Sequence, residues 1–411
     1  MLLHSSRLTQ RTEKVNQVFT VLSRTIKPNS HIVVAYSGGK DSTALSILFY
    51  QWLLERRIEN LEITFIHNDT CSEVLDLEYW VKEFLNKISN QIRKEGYKVN
   101  IQLVKPPIND NFYWRLFIRG YPAPSYCFRW CVNLLKVKPT RKVLHHIQET
   151  SKKRVLLLTG LRESESSFRT RSLKNRYGAC SLSGGRCLAY FFSREKIDNM
   201  IKLAPLRDWK DNDVWNFLLI EDDFQIDKLF DLYKCQNTRF GCWHCTLVKH
   251  QWCLYSMGSG YLYFEALRIL YRTLSDLGLA RKRKKWGYSK LGALNLTARA
   301  IMLRLLKVAE DISGIKLYGL DENGIKGGYS LRELLYNLEG EEVMKLIHQI
   351  DQSVDPKRVV PINQLRDPPD KELLKRLINK LDEKSISNSA RALIIEQTGL
   401  DLVKELLDNL E

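Results

Sequence analysis

The chain has 411 residues and a mass of 48.1 kDa; its 44% hydrophobic and 27% charged side chains supply apolar material for two cores and exclude disorder as its main state. No run approaches the roughly 18 uncharged apolar residues a bilayer crossing needs, and MLLHSSRLTQRTEK turns polar too soon for a signal-peptide core, so a cytoplasmic protein with no membrane role is expected. Sixty-four Lys and Arg against 47 Asp and Glu leave a net charge of +17, which favours phosphate-rich partners without specifying a fold.

The elements follow from periodicity. Val15, Val18, Phe19, Leu22 and Ile26 recur at a helical spacing in the opening stretch. HIVVAY (31–36) is a parallel-type strand, followed by the turn SGGKDS and the apolar helix TALSILFYQWLLERR. ITFIHND (63–69) is a second strand, EVLDLEYWVKEFLNKISNQIRKEG a second helix of this series, and KVNIQLVK (98–105) a third strand. After a segment rich in aromatics and prolines, KPTRKVLHHIQET is helical and RVLLLTG (154–160) is a fourth strand. Such alternation predicts an α/β fold with an open, mostly parallel sheet covered by helices on both faces. Beyond about residue 256 helical periodicity dominates, and PKRVVPINQLRDPPDKE (356–372), with four prolines, reads as a loop before a terminal helical hairpin. Two domains are expected, 1–255 for the sheet together with the cysteines and 256–411 for a mainly helical, basic C-terminal region.

Ser37-Gly38-Gly39-Lys40-Asp41-Ser42 joins a β-branched strand to a helix, where an α/β sheet presents backbone N–H groups and a helix dipole to an anion. The glycines let the chain approach a phosphate with no Cβ in the way. Lys40 adds a point charge, and Ser37, Ser42 and Thr43 offer hydroxyls. Asp41 is placed to cap the helix or to hold Mg²⁺. The pattern is neither a Walker loop nor a dinucleotide fingerprint.

SGGKDS in this setting resembles the PP-loop of the ATP pyrophosphatases, which split ATP into AMP and pyrophosphate; the resemblance implies an adenine nucleotide alpha hydrolase-like fold binding ATP with Mg²⁺. Thr159-Gly160-Leu161-Arg162-Glu163-Ser164-Glu165, with Arg169 and Arg171 beyond, resembles a segment of the phosphoadenosine phosphosulfate (PAPS) reductase-like family. So does Pro205-Leu206-Arg207-Asp208-Trp209 with Asp213, Val214 and Trp215. Arg162, Arg169 and Arg171 fall at and just beyond the end of the fourth strand, and guanidinium forks suit phosphate or sulfate, although surface arginines need no ligand. Trp209, Trp215 and Asp208 are equally well explained as core anchors and a helix cap.

Nine cysteines without a secretory signal argue against a disulfide framework. Cys242-Trp-His-Cys245 is a C-x-x-C, Cys253 follows after seven intervening residues, and Cys131 lies far upstream. No second C-x-x-C completes a zinc ribbon. A [4Fe–4S] cluster on Cys131, Cys242, Cys245 and Cys253 accounts for more of the pattern, with zinc or inert buried thiols as alternatives. GYPAPSYCFRWC (120–131), RFGCWHC (239–245), IHNDT in the second strand and GALNLTARAIMLRLLKVAEDI (292–312) resemble segments of the DNA phosphorothioation sulfurtransferase (DndC) family. The resemblance covers roughly residues 30–312. It implies iron–sulfur ligation by Cys131, Cys242 and Cys245, with Cys253 as the fourth ligand and Cys235 its rival. It also implies Lys40, Asp41 and Arg162 in catalysis, and Ser37, Gly38, Gly39, Ser42, Thr43, Asp69, Gly160, Arg169 and Arg171 with them around the nucleotide. Cys71, Cys127, Cys180 and Cys187 are left over, one of them a candidate persulfide carrier. The chain looks shorter than typical members of that family, and nothing after Tyr318 matches.

Residues 261–320 carry 12 basic against 4 acidic side chains, and Arg281-Lys-Arg-Lys-Lys285 with Trp286 and Tyr288 suits a nucleic-acid backbone, if it is more than a solvated loop. The expected activity is that of an ATP-dependent sulfurtransferase adenylating a substrate oxygen, with DNA a better candidate partner than RNA and a cysteine desulfurase or other sulfur donor as the second partner. PAPS or adenosine phosphosulfate reduction, tRNA thiolation and a non-catalytic nucleotide-binding module are the alternatives.

Overall fold

In the computed structural model the described residues are 13–107, 110–165, 170–171, 173, 175, 181–182, 185–186, 192–194, 200–221, 223–233, 241–283, 291–315 and 371–410. Contacts divide the chain into two compact units, the first Met1–Asn68, Asp76–Val104 and Thr140–Asp231, the second Asp69–Leu75, Lys105–Pro139 and Leu232–Glu411. Residue 255 lies inside the second unit.

The first unit holds α1 (Glu13–Thr25), β1 (Ser30–Ala35), α2 (Lys40–Arg56), β2 (Glu62–Asn68), α3 (Leu75–Lys94), β3 (Lys98–Val104), α4 (Lys138–Thr150) and β4 (Arg154–Thr159). The short strands β5 (Ser181–Leu182), β6 (Gly185–Arg186), β7 (Phe192–Arg194) and β8 (Ile201–Leu203) follow, then α5 (Asp211–Leu219) and α6 (Ile226–Leu232). The main sheet runs β3-β2-β1-β4-β8-β7; five strands are parallel and only β7 pairs antiparallel, on β8. The expected open parallel sheet is present. Val33 and Ile66 on adjacent strands pack with Val104, Leu144, Val155, Leu157 and Met200 into a buried cluster. On α2 the side chains from Ser42 to Phe49 are all buried, as a helix laid on a sheet and covered in turn must be. Trp52 Nε1 donates to Ser23 Oγ at 2.9 Å and ties α2 to α1.

Strand order reverses between β1 and β4, so their carboxyl ends open the crevice in which doubly wound sheets bind ligands. Two glycines set the backbone there. Gly38 has φ +78°, and a Cβ on it would lie 2.5 Å from Val81 and 2.9 Å from Leu77 of α3. A Cβ on Gly160 would lie 2.8 Å from the carbonyl oxygen of Asp41 and 3.1 Å from the nitrogen of Ser42, so β4 ends in backbone contact with the first turn of α2.

The second unit contains two π-helical turns, Trp114–Ile118 and Val132–Val137, the cysteine segment, and α7 (Trp252–Ser256), α8 (Leu262–Asp276), α9 (Leu296–Ser313), α10 (Lys371–Ser385), α11 (Ser389–Thr398) and α12 (Leu402–Asp408). Helix α8 is buried on nearly every side and packs against α9, α10, α11 and α12. The C-terminal region is mostly helical, as expected, and two short strands that periodicity did not mark, β9 (Arg281–Arg283) and β10 (Leu291–Leu294), pair antiparallel. The terminal segment is three helices rather than a hairpin, and the proline-rich stretch 356–370 lies outside the described residues. No described helix is long and apolar enough to cross a membrane.

The contact at Gly160 yields a stability prediction. Gly160→Ala forces its methyl into the backbone of α2, which cannot give way as a flexible side chain would, and is expected to destabilise the first unit by about 1–3 kcal/mol. Thermal unfolding checks this; an unchanged midpoint would show that the crevice tolerates the methyl.

Candidate nucleotide site and cysteine centre

The loop after β1 is locked by its own hydroxyls. Ser42 Oγ and Thr43 Oγ1 donate to the Gly39 carbonyl at 2.9 and 3.1 Å, while Ser37 N donates to Ser42 Oγ at 3.2 Å. Ser37 Oγ lies 3.1 Å from Ser42 Oγ, and Trp80 Nε1 donates to the Gly38 carbonyl at 3.0 Å. Gly39 caps α2 in extended backbone with no side-chain bond to the helix start. The turn is therefore a shaped concavity at a helix N-terminus, the form that binds phosphate.

Its charges are paired within the first unit. Arg162 is fully buried; Nε lies 2.8 Å from Asp41 Oδ1, and Nη2 donates to Asp41 Oδ2 at 3.4 Å and to Asp211 Oδ1 at 2.5 Å. Nη1 donates to Ser164 Oγ at 2.9 Å and to the Trp209 carbonyl at 3.3 Å. Arg162 Nε and Asp41 Oδ1, although close, lack hydrogen-bond geometry with any partner. Lys40 Nζ lies 3.6 Å from Asp211 Oδ2 and 6.0 Å from the centre of the Trp215 ring. Burial opposes ionisation of Asp211, but Arg162 and Lys40 outweigh it and hold the carboxyl below its ordinary range. Arg162 thus sits where the sequence puts it, with its fork on carboxylates rather than turned outward.

Arg171 is exposed, and Arg169, Cys180, Cys187 and Cys235 lie outside the described residues. Asp69 belongs to the second unit, where Oδ1 accepts from Cys71 N at 2.8 Å and Oδ2 lies 3.4 Å from Lys105. Trp209 is buried edge-on to Phe217 and Trp215 stacks on Phe230, as anchors, but the helix cap is Asp213, which accepts from Lys210 N at 2.7 Å, and not Asp208, whose carboxylate lies 3.6 Å from Lys14. Arg281 donates to the carbonyls of Gly292 and Ser275, at 2.5 and 2.7 Å, so the first cation of the basic run has a structural role; residues 284–290 lie outside the described residues.

In the second unit Cys131 enters the π-turn Val132–Val137, Cys242 forms an isolated bridge with Glu73, and Cys245 N donates to the Cys242 carbonyl at 3.3 Å. Burial pushes the Cys131 thiol up to about 12, with Cys242 and Cys245 adding to the effect, so the three thiols share one environment. Burial also raises Cys242; Lys136, in the same π-turn and 3.8 Å from Glu73, opposes it. Cys242 Sγ lies 3.2 Å from Thr70 Oγ1. Cys253 is fully buried and pushed up to about 12, by burial first and Glu265 second, with Cys245 adding to the effect. Among the described residues no two cysteines form a disulfide. Among the described residues no three His, Cys, Asp or Glu are spaced to hold a single metal ion. Cys131, Cys242, Cys245 and Cys253 are thiolate donors of the kind an iron–sulfur centre takes, and the inorganic core of such a centre is wider than one ion. The thiols of Cys131, Cys242 and Cys253, raised by burial, would release protons on ligation.

The frame of this centre is a feature that spacing did not reveal. His244 stacks on Phe112 at 3.4 Å and faces Ser72 Oγ from Nε2 at 2.9 Å; burial lowers its pKa to about 3. Arg268, paired with Glu265 at 2.6 Å inside α8, donates to the carbonyls of Cys245, Val248 and Lys249 at 3.2, 3.1 and 2.9 Å. An opposite pair three residues apart, Glu265 and Arg268, each flanked by apolar residues in the helix, was the available signal. The other missed residue, Asp211, stands between the matched Trp209 and Asp213.

A parallel sheet offering a glycine loop and a helix start at its switch point defines a nucleotide-binding α/β domain. Residues 31–248, just over half of the chain, match the phosphoadenosine phosphosulfate reductase domain, and the chain belongs to that family. Two uncharacterised proteins of Methanocaldococcus jannaschii, MJ0973 and MJ0066, are each 29% identical to it over 217 and 221 residues. Each match takes 53% of this chain, and 42% and 36% of the relatives, so the chain spans less than half the length of the curated relatives it matches. Among solved structures, the U34-tRNA thiolase NcsA from Methanococcus maripaludis with its [4Fe–4S] cluster is similar at 15% identity and TM-score 0.32, covering 50% of this chain and 62% of that one. Candida glabrata FMN adenylyltransferase, in complex with FAD and inorganic pyrophosphate, is similar at 16% identity and TM-score 0.31, covering 52% and 62%. Both likenesses are distant.

Removing one partner of a buried ion pair strands the other, at a cost of about 3–5 kcal/mol. Arg268→Leu is accordingly expected to lower the unfolding midpoint strongly and to free the carbonyls around Cys245. Urea unfolding of the variant checks this, and a loss below about 1 kcal/mol would assign the support to other contacts.

Proposed function

We propose that this chain is an ATP-dependent sulfurtransferase: an acceptor oxygen, in the favoured reading a DNA backbone phosphate, attacks the α-phosphorus of ATP and pyrophosphate leaves. A sulfur nucleophile then attacks the activated acceptor, the bond to the adenylated oxygen breaks, and AMP departs with that oxygen. The observation that carries the reading is the SGGKDS turn between β1 and α2, closed by its own hydroxyls at the β1/β4 switch point, with Lys40 and Arg162 brought to it. Loop N–H groups, Lys40 and Arg162 would neutralise the departing pyrophosphate as its charge develops. Asp41 and Asp211 are hard oxygen donors for the Mg²⁺ that accompanies the nucleotide. Cys131, Cys242 and Cys245, with Cys253, would hold a [4Fe–4S] cluster, whose chemistry when bound is to carry sulfur or electrons. Sulfur supply is assigned to a cysteine desulfurase, and cytoplasmic DNA to the acceptor side.

The family's description favours a second reading, reduction of a phosphosulfate nucleotide, in which a thiol takes the sulfonyl group and ATP is not split. That chemistry needs an accessible thiolate. Burial pushes Cys131 and Cys253 up to about 12, which disfavours them for that role, whereas Cys127 is exposed.

With ATP, Mg²⁺ and DNA, the purified chain is expected to release pyrophosphate, and Lys40→Ala to cut the rate by about 10² or more. DNA from cells with and without the protein, digested and analysed by mass spectrometry, is expected to differ in sulfur-containing dinucleotides. Anaerobically purified protein should hold iron that Cys242→Ala loses. Sulfite production from a phosphosulfate nucleotide without ATP cleavage would select the reductase instead.

A further inference from the structure

Lys40 and Arg162 are the cations through which the loop would meet a polyphosphate, and one carboxylate engages both. Asp211 directs Oδ1 at Arg162 Nη2, 2.5 Å away, and Oδ2 at Lys40 Nζ, 3.6 Å away. Its two oxygens span the two cations as two oxygens of a phosphate would. The partners differ in how firmly they are held: the Arg162 and Lys40 side chains are 1% and 14% exposed, whereas the Asp211 side chain is 60% exposed. Asp211 is the first residue of α5, and the same helix start is already capped by Asp213, so the fold does not depend on Asp211 to end the helix. Arg162 keeps Asp41, Ser164 and the Trp209 carbonyl if Asp211 leaves.

We infer that Asp211 is an internal competitor for the anion site, a carboxylate that occupies Lys40 and Arg162 and swings outward when a polyphosphate takes its place. The inference rests on the reading of the loop as a polyphosphate site and adds a residue that sets its affinity and selectivity. A ligand must replace both contacts at once, so a polyphosphate able to reach Lys40 and Arg162 together displaces the carboxylate, whereas a monoanion reaching one of them does not. Once displaced, Asp211 remains beside the bound phosphates, where it repels a metal-free chain and attracts the Mg²⁺ of a metal-bound one.

The test uses the full chain, with inorganic tripolyphosphate and ATP as probes, each measured by calorimetry with EDTA and with Mg²⁺. Asp211→Asn keeps the side-chain volume and a hydrogen-bond acceptor for Arg162. It is expected to bind metal-free tripolyphosphate about fivefold or more tighter than the natural protein, with a smaller gain when Mg²⁺ is present. In a Lys40→Ala background the gain from Asp211→Asn should shrink, because competition for Lys40 has been removed, and the double-mutant cycle reads that coupling directly. Should Asp211→Asn unfold earlier than the natural protein, Asp211→Ser repeats the measurement. Binding that is unchanged or weaker in both variants overturns the inference while leaving the nucleotide site standing. A gain of equal size with and without Lys40 also overturns it, in favour of general charge repulsion. If neither the natural protein nor any variant binds ATP or tripolyphosphate, the nucleotide reading falls and takes the inference with it.

Discussion

The first unit is organised around one close approach, the end of β4 against the first turn of α2. A parallel sheet with helices on both faces leaves a gap only where strand order reverses, and that gap lies between β1 and β4. Gly160 lets the two backbones touch, and Gly38, with its left-handed φ, lets the intervening loop turn under α3. Once the backbones are fixed, Arg162, two residues beyond Gly160, and Asp41, in the first turn of α2, meet by construction. The chemistry of the site is thus a consequence of strand order and of two missing Cβ atoms.

That construction explains why charge collects where solvent is scarce. A fully buried guanidinium is costly unless hydrogen-bonded and paired. Arg162 meets the requirement with two carboxylates, a serine hydroxyl and a backbone carbonyl. The same pairing leaves the loop with balanced charge before any ligand arrives, so binding there is an exchange of anions rather than the filling of a bare positive pocket. An exchange is more selective than simple attraction, because the incoming group must match the geometry of the one it replaces.

Much of this was legible in the sequence, for reasons that can be located. HIVVAY, ITFIHND, KVNIQLVK and RVLLLTG are continuous or alternating apolar runs bounded by turns, and each became a strand of the main sheet within one or two residues. KPTRKVLHHIQET became α4 over the same residues, since a parallel crossover requires a helix there. The SGGKDS turn was readable because few other uses exist for two glycines between such a strand and such a helix. What the sequence did not disclose depends on tertiary placement. Nothing local marks 105–139 as part of the second unit, and the π-turns in that stretch arise from packing rather than propensity. Asp211 looks like any acid in the first turn of a helix, where the dipole favours one. Arg162 was recognised as a cation but not as a buried one, and burial is what converts it from a surface fork into the hub of a network.

The cysteine centre shows the opposite economy. Its ligand candidates are conspicuous by spacing, yet what holds them is not. The strand-like contact of Cys242 with Glu73, the stacking of His244 on Phe112 and the three carbonyl bonds from Arg268 fix the backbone on either side of the C-x-x-C turn. Arg268 does this from inside α8, the most buried helix of the second unit, and is affordable there only because Glu265 accompanies it. A rigid frame of this kind matters more for thiols than for most donors. Burial has pushed Cys131 and Cys253 up to about 12, so their sulfurs ionise readily only against a positive centre. Lys136 partly meets that need beside Cys242, and its wide π-turn also starts at Cys131. The second unit therefore combines a pre-shaped backbone with two thiols, those of Cys131 and Cys253, whose ionisation burial opposes until something cationic arrives.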